Sequence, residues 1–351
     1  MMSAYPIKVK ALEWANGSVR WINTKLLPEA EVYEESSDYE RIARAIEDME
    51  IRGAPAIGVA AALAVAATVY NAPSEDVAQV KSLAFKAIER LRRTRPTAYN
   101  LFWSLMQIED ALRKDYTSVD ELRKAVVEKA LQLYKMDIEV NARIGENGEK
   151  LIEDGDTILT HCNAGALATV ALGTALAIIR IAWYKGKKIK VIATETRPVL
   201  QGARLTVWEL KKEGIPVTLI TDNMVGYVMY KGMVNKVIVG ADRILLDGHV
   251  INKIGTYTIA VVAQRHRIPF YVAAPTSTID PRASLDSVVI EERNPDEVRR
   301  VMGKLLITIV DVPVHNPSFD ITPPDLVTSI VTERGVVEPP YTINIRKMLG
   351  L

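Results

Sequence analysis

The chain has 351 residues, 48% of them hydrophobic and 25% charged, with a formal net charge of +1. That length allows two domains or one large one with a sizeable core, and the composition is globular rather than disordered. Near-neutral charge excludes the basic surface that nucleic acid or a polybasic membrane patch requires, and a single cysteine excludes a disulfide framework and a cysteine-rich zinc site.

The start, MMSAYPIKVK, lacks the apolar core of a signal peptide, so a cytoplasmic protein is expected. Ile7 to Trp14 and Val19 to Ile22 flank Asn16-Gly17, a dipeptide suited to a tight hairpin turn, which predicts a small antiparallel unit. Helical spacing follows over Asp38 to Met49, with Asp38 as cap, then over Pro55 to Tyr70, Glu75 to Arg92, Ala98 to Arg113 and Val119 to about Asn147. The uncharged run from Gly53 to Ala72 is rich in Ala and Gly, so its transfer energy is weak and a buried helix is expected instead of a membrane span.

From Asp156 the texture changes to strand, turn and helix in alternation. Thr157 to His161, Lys188 to Thr194, Val217 to Thr221, Val237 to Val239 and Phe270 to Ala273 read as strands; Ala164 to Ile181, Ala203 to Lys212, Val225 to Tyr230 and Gly255 to His266 read as helices. Such alternation implies parallel pairing with helices on both faces. The expected architecture is α/β: a Rossmann-like, doubly wound parallel sheet over 121–351, opened by a connecting helix and preceded over 1–120 by a mainly helical domain with a small antiparallel β unit. No GxGxxG follows the first strand and no GxxxxGK[ST] occurs, so the fold alone does not imply NAD or nucleotide hydrolysis.

Polar residues gather after successive strands: Cys162, then Glu195 to Arg197, then Asp222 and Asn223, then Asp242 and Arg243, then Thr276 and Ser277. In a parallel sheet these ends share one rim, where α/β sheets bind ligands. A helix directly after Cys162 would attract anions and lower the thiol's pKa; the alternative is a small core residue. Asp242 interrupts an apolar run, which raises a carboxyl's pKa and makes it a candidate proton donor; an ion pair with Arg243 or a helix cap is the other reading. Arg52, Gly53 and Ala54 open one helix and Arg95 another, which suits an oxyanion, although either arginine can equally serve a surface ion pair. Gln201 lies in the turn after ETRP, within reach of the rim or as a cap, and Asn252 and Lys253 precede the last helix. His161 neighbours Cys162 but points to the opposite face of a strand, so a packed or supporting role is expected. The four histidines form no ligand set, so no preformed transition-metal site is expected.

Taken together, IRGAPAIG (51–58), RPTAYNLFW (95–103), THCNAGALAT (160–169), ETRPVLQGARLT (195–206), GADRI (240–244), NKIGTY (252–257), APTSTID (274–280) and NPSFDITPP (316–324) resemble the S-methyl-5-thioribose-1-phosphate isomerases of methionine salvage over nearly the whole chain. That family is related to the regulatory subunits of translation initiation factor 2B and to archaeal ribose-1,5-bisphosphate isomerases. The resemblance implies an aldose–ketose isomerase with Cys162 and Asp242 catalytic and with substrate held by Arg52, Gly53, Ala54, Arg95, Gln201, Asn252 and Lys253, its phosphate between the two domains. A bisphosphate isomerase is expected to carry a lysine shortly after the cysteine motif, where this chain has Ala164, Gly165 and Ala166. Ala164 replaces a common Thr, and Gly226 and His249 lie in variable surroundings. The resemblance also implies a homodimer, for which Met224 to Tyr230 and the tail Ser318 to Tyr341 offer uncharged surface.

Overall fold

The computed structural model describes residues 5–95 and 99–351. Asn16, at φ +46°, turns the hairpin that joins β1 (Leu12–Ala15) to β2 (Ser18–Ile22), and β3 (Tyr33–Ser36) adds antiparallel to β2. Asp38 caps α1 (Tyr39–Glu47) by accepting from the Glu40 N–H at 2.9 Å. α2 (Ala54–Tyr70) is buried from Ala56 through Val69, which accounts for its lack of polar positions: a helix apolar all round is a core helix. Among the described residues no helix is long and apolar enough to cross a membrane. α3 (Val77–Arg92) starts at Asp76, and α4 (Tyr99–Leu112) and α5 (Val119–Glu149) follow. Pro96 to Ala98, part of the RPTAYNLFW motif and the expected start of α4, lie outside the described residues.

The contacts divide the chain into two units. One comprises the described residues up to Ala142 together with Gly165–Gly173; the other comprises Arg143–Ala164 and Thr174–Leu351. A boundary at 120 assigns all of α5 to the second unit, whereas most of that helix packs within the first.

In the second unit the chain runs β4 (Thr157–Thr160), α6 (Ala175–Tyr184), β5 (Lys190–Thr194), α7 (Val207–Glu213), β6 (Val217–Ile220), α8 (Val225–Tyr230) and β7 (Lys236–Val239). It continues as β8 (Arg243–Leu245), β9 (Val250–Lys253), α9 (Thr256–Arg265), β10 (Phe270–Ala273), β11 (Ile279–Asp280), α10 (Asp296–Arg299), β12 (Arg300–Val301), β13 (Leu305–Leu306), β14 (Phe319–Thr322), β15 (Ser329–Thr332), β16 (Gly335–Val337) and α11 (Tyr341–Leu349). The main sheet has the order β16-β15-β10-β7-β4-β5-β6, parallel except at β16. It starts at β4, grows outward through β5 and β6, then crosses to β7 on the other side. This is the doubly wound arrangement that the alternation of elements predicted. A smaller sheet, β11-β8-β9-β14, lies beyond the end of β7. Leu159, Val237, Val239, Phe270 and Val272 fill the core of the unit.

Two expectations change. The helix expected from Ala164 begins only at Ala175. Between them the Ala164 carbonyl accepts from Thr174 N–H (2.9 Å) and Leu176 N–H (3.2 Å), which pinches off Gly165–Gly173 as a separate loop. That loop packs in the first unit, where the Val170 carbonyl accepts from Ala11 N–H at 3.1 Å and Asp137 accepts from Val170 N–H at 2.8 Å. Within the loop Ala168 N–H and Thr169 N–H donate to the Gly165 and Ala166 carbonyls (3.0 and 3.2 Å) in a single 3-10 turn over Ala166–Ala168, and the bonds to Ala11 and Asp137 take the place of a continued α-helix. The tail Ser318–Tyr341, expected to offer free apolar surface, is instead woven into both sheets as β14, β15 and β16, with Ile330 and Val331 fully buried.

Candidate active site

Cys162 follows β4 and Asp242 follows β7, and these two strands are neighbours in the sheet. They flank the point where the winding reverses, the crevice in which open α/β sheets take ligands. Glu195 to Arg197 continue the rim after β5 and Asp222 after β6, with Thr276 beyond β10 on the other side. The convergence expected of the strand ends therefore holds within the second unit.

The rim is held in unusual backbone conformations. Cys162 (φ +60°), Thr196 (+63°) and Leu200 (+62°) all occupy the left-handed region without being glycine, each at a cost of ~1–3 kcal/mol that surrounding structure must offset. The offsetting bonds are visible. Thr196 Oγ1 accepts from Cys162 N–H at 2.8 Å, and the Asp222 carboxylate accepts from Thr196 N–H (2.8 Å) and Arg197 N–H (2.7 Å). Asp222 thus uses both oxygens to fix the rim after β5.

His161 is buried. Its Nε2 faces the Ile254 carbonyl at 2.8 Å and therefore carries the proton, which leaves Nδ1 to accept from the Thr194 hydroxyl at 2.6 Å. Burial lowers its pKa and holds the ring neutral, the supporting role expected for it. Cys162 is 8% exposed. Because α6 starts thirteen residues further on, at Ala175, the α-helix expected directly after Cys162 does not begin there, and the dipole effect expected of it falls away.

Asp242 is partly buried, its N–H donating to the Ile251 carbonyl at 3.0 Å, while Arg243 lies 3.7 Å from Asp280. Gln201 is buried and its Oε1 has no hydrogen-bond partner among the described residues. Asn252 is buried in β9 and donates to Thr256 Oγ1 at 2.9 Å. Lys253 donates to the Ser318 carbonyl at 2.8 Å and lies over the Phe319 ring. The amides at the start of α9 are occupied: Asp320 accepts from Gly255 N–H (2.7 Å) and Tyr257 N–H (3.1 Å). Burial raises the Asp320 carboxyl to about 6. An acid 65 residues away in sequence fills that helix terminus, and nothing local announces it.

In the first unit Arg52, Gly53 and Ala54 open α2, with Gly53 as its N-cap at φ +91°. A Cβ there would collide with the backbone of Ala168, so Gly53 is required both by conformation and by the packing of the 165–173 loop. Arg52 and Arg95 are partly buried.

Sequence reasoning missed a buried network behind the cysteine. Thr206 donates to the Cys162 carbonyl at 2.6 Å, Asn163 donates to Glu209 at 2.9 Å, and Arg180 pairs with Glu209 at 2.6 Å and Glu213 at 3.2 Å. Arg180, in the middle of the apolar stretch AIIRIAWY, was the available signal: a charge buried there needs a partner.

The chain is similar to several known proteins. The model of the initiation factor 2 subunit family matches residues 50–339. The methylthioribose-1-phosphate isomerase of Petrotoga mobilis is 51% identical over 97% of this chain and 99% of that one. The crystal structure of 5-methylthioribose 1-phosphate isomerase from Pyrococcus horikoshii OT3 matches with a TM-score of 0.92 at 43% identity, covering 100% of this chain and 99% of that one. That of translation initiation factor eIF-2B, subunit delta, from A. fulgidus matches with a TM-score of 0.90 at 48% identity, covering 98% and 100%. The chain belongs to the initiation factor 2 subunit family and, within it, to the methylthioribose-1-phosphate isomerases.

Proposed function

We propose that the protein is an aldose–ketose isomerase that converts 5-methylthioribose 1-phosphate to 5-methylthioribulose 1-phosphate, with Cys162 and Asp242 as its catalytic groups. The observation that carries this reading is the pair itself: a thiol and a carboxyl at the ends of the neighbouring strands that flank the sheet's crossover, in a chain about half identical to proteins bearing that name.

The substrate's anomeric oxygen bears phosphate, so its ring does not open spontaneously to an aldehyde. Asp242 protonates the ring oxygen as its bond to C1 breaks, and Cys162 governs the passage of hydrogen from C2 to C1. The C2 hydroxyl proton returns to the Asp242 carboxylate as C2 becomes a carbonyl, so every atom of the substrate is retained in the product. An apolar, closed site would favour these transfers by excluding water.

Arg52 and Arg95, with the Gly53 and Ala54 amides at the positive end of a 17-residue helix, suit phosphate. Asn252 and Lys253 complete the substrate contacts. Gln201, a buried acceptor without a partner among the described residues, suits a ribose hydroxyl. Ala164, Gly165 and Ala166 offer no charged or hydroxyl side chain to a second phosphate, which favours the methylthio sugar over ribose 1,5-bisphosphate. In this reading the enzyme is a cytoplasmic homodimer that requires neither metal nor cofactor.

The test is an assay of the purified chain on both sugars without added nucleotide or metal. Turnover of methylthioribose 1-phosphate is expected. Faster turnover of the bisphosphate overturns the substrate, and binding to an initiation-factor subunit without any turnover overturns the enzyme.

A further inference from the structure

The left-handed conformation of Cys162 is held from both sides by hydroxyls. On its amino side the N–H donates to Thr196 Oγ1 at 2.8 Å; on its carboxyl side the carbonyl accepts from Thr206 Oγ1 at 2.6 Å. The two threonines come from the loop after β5 and from a five-residue π-turn, Gly202–Thr206, that leads into α7. Such turns recur where a helix must present a particular side chain. The Thr206 hydroxyl is used twice, since Asn163 Nδ2 donates to it at 3.2 Å. Asn163 Nδ2 also reaches Glu209 Oε1 at 2.9 Å, and the other Glu209 oxygen is neutralised by Arg180 at 2.6 Å. Thr206, Glu209 and Arg180 are all at most 1% exposed, so the assembly is shielded from water, which would otherwise compete for its bonds.

We propose that Thr206, seconded by Glu209 through Asn163, is a positioning residue for Cys162: the paired hydroxyls of Thr196 and Thr206 hold the peptides on either side of the cysteine in the one orientation that aims its sulfur at the reacting carbons. The proposal rests on the catalytic reading of Cys162 given above. An extended conformation at residue 162 points Cβ, and with it Sγ, in a different direction. Nothing in the cysteine's own chemistry favours φ of +60°, so the orientation has to be imposed from outside.

The experiment compares Thr206→Val, which keeps the shape and removes the hydroxyl, with Thr206→Ser, which keeps the hydroxyl. Two readouts are taken: kcat and KM for methylthioribose 1-phosphate, and the rate at which iodoacetamide alkylates Cys162. Because Cys162 is the only cysteine, the second readout reports on one thiol and does not depend on turnover. Thr206→Val is expected to lower kcat at least ~30-fold with KM within ~3-fold, the pattern of a misaimed group. It is also expected to speed alkylation at least ~5-fold by releasing the thiol. Thr206→Ser is expected to bring both values back to within ~3-fold of wild type. Unchanged alkylation in Thr206→Val, or a serine variant as impaired as the valine one, overturns the proposal. Where wild type turns over no sugar, the enzymatic reading fails while the alkylation comparison still decides the positioning role. Should Thr206→Val not fold, Thr196→Ala cuts the clamp from its other side, with the same expectations and the same refutation.

Discussion

Gly202 lies against the Thr194 carbonyl so closely that any Cβ would overlap that oxygen, and the same Cβ would stand 2.9 Å from Thr196 Oγ1. The end of β5 and the π-turn can approach only because residue 202 has no side chain. Gly202→Ala must therefore push the turn away, carrying Thr206 with it. Overpacking of this kind costs roughly 1–3 kcal/mol, and a lower urea midpoint is expected together with slower turnover. An unchanged midpoint with full activity would show that the turn has room to spare.

Cys162→Ser and Asp242→Asn are each expected to reduce kcat by at least ~10²-fold, the scale for loss of a positioned acid or base, while circular dichroism and thermal midpoint stay near wild type. Near-normal rates in a folded Cys162→Ser protein would return this cysteine to the class of buried core residues.

Arg52→Ala is expected to weaken substrate binding by roughly 1.5–3 kcal/mol, the scale of a lost charge-assisted hydrogen bond. Titration calorimetry with substrate and an inactive Cys162→Ser background measures it directly. Equal affinity with and without Arg52 would remove it from the phosphate site.

In the main sheet the order from β4 to β10 was legible because its strands are short apolar runs closed by polar rim residues, and Asp38 and Asn16-Gly17 mark the start of α1 and the first hairpin with chemistry of their own, whereas β15, β16 and the smaller sheet carry no such signal. The residues from Ala164 to Gly173 misled for the same kind of reason. They are apolar and rich in Ala and Gly, yet they make only one 3-10 turn before Val170 bonds to Ala11 and Asp137, which no local pattern reveals. The clamp on Cys162 was equally hidden: Thr206 and Glu209 reach back over 44 and 46 residues to Cys162 and Asn163. Single polar residues on a rim could be read from the sequence, whereas the bonds that orient them arise only when distant segments meet.

Asp137 gives the pH dependence a definite sign. Burial pushes its carboxyl up to about 7, against the lowering effect of the Val170 N–H and Asn141 Nδ2 bonds. In the unfolded chain the same group titrates near ~3.9. Its folded-state pKa is thus raised, so its contribution is fully present below the unfolded value and is lost as the pH rises through about 7. Asp137→Asn removes the titration. Relative to this variant, wild type should lose stability between pH 5 and pH 8, measured as the difference in urea midpoints at the two values. A difference that is the same at both pH values would contradict the raised pKa.

The last expectation is a homodimer formed through the second unit. Met224 (46% exposed), Tyr227 (61%) and Tyr230 (74%) stand in or beside α8 with large apolar surfaces in water, and Met233 (47%) and Leu219 (48%) lie close by in sequence. Lys231 stacks near both tyrosine rings, at 5.7 and 5.9 Å, a contact that desolvation strengthens. Methionine and tyrosine are the residue types that stable interfaces favour. The large apolar side chains of the tail Ser318–Tyr341 are, Val336 apart, buried or partly buried, so the expected apolar patch is α8 and its surroundings. A two-fold contact repeats the same patch on each copy and should bury more than ~1,000 Å² in total. Tyr227→Glu together with Tyr230→Glu would place like charges opposite one another across such an axis and should yield monomers. Sedimentation at sub-micromolar concentration is expected to give a dimer for wild type and a monomer for the double variant, whereas a wild type that sediments as a monomer refutes the assembly outright.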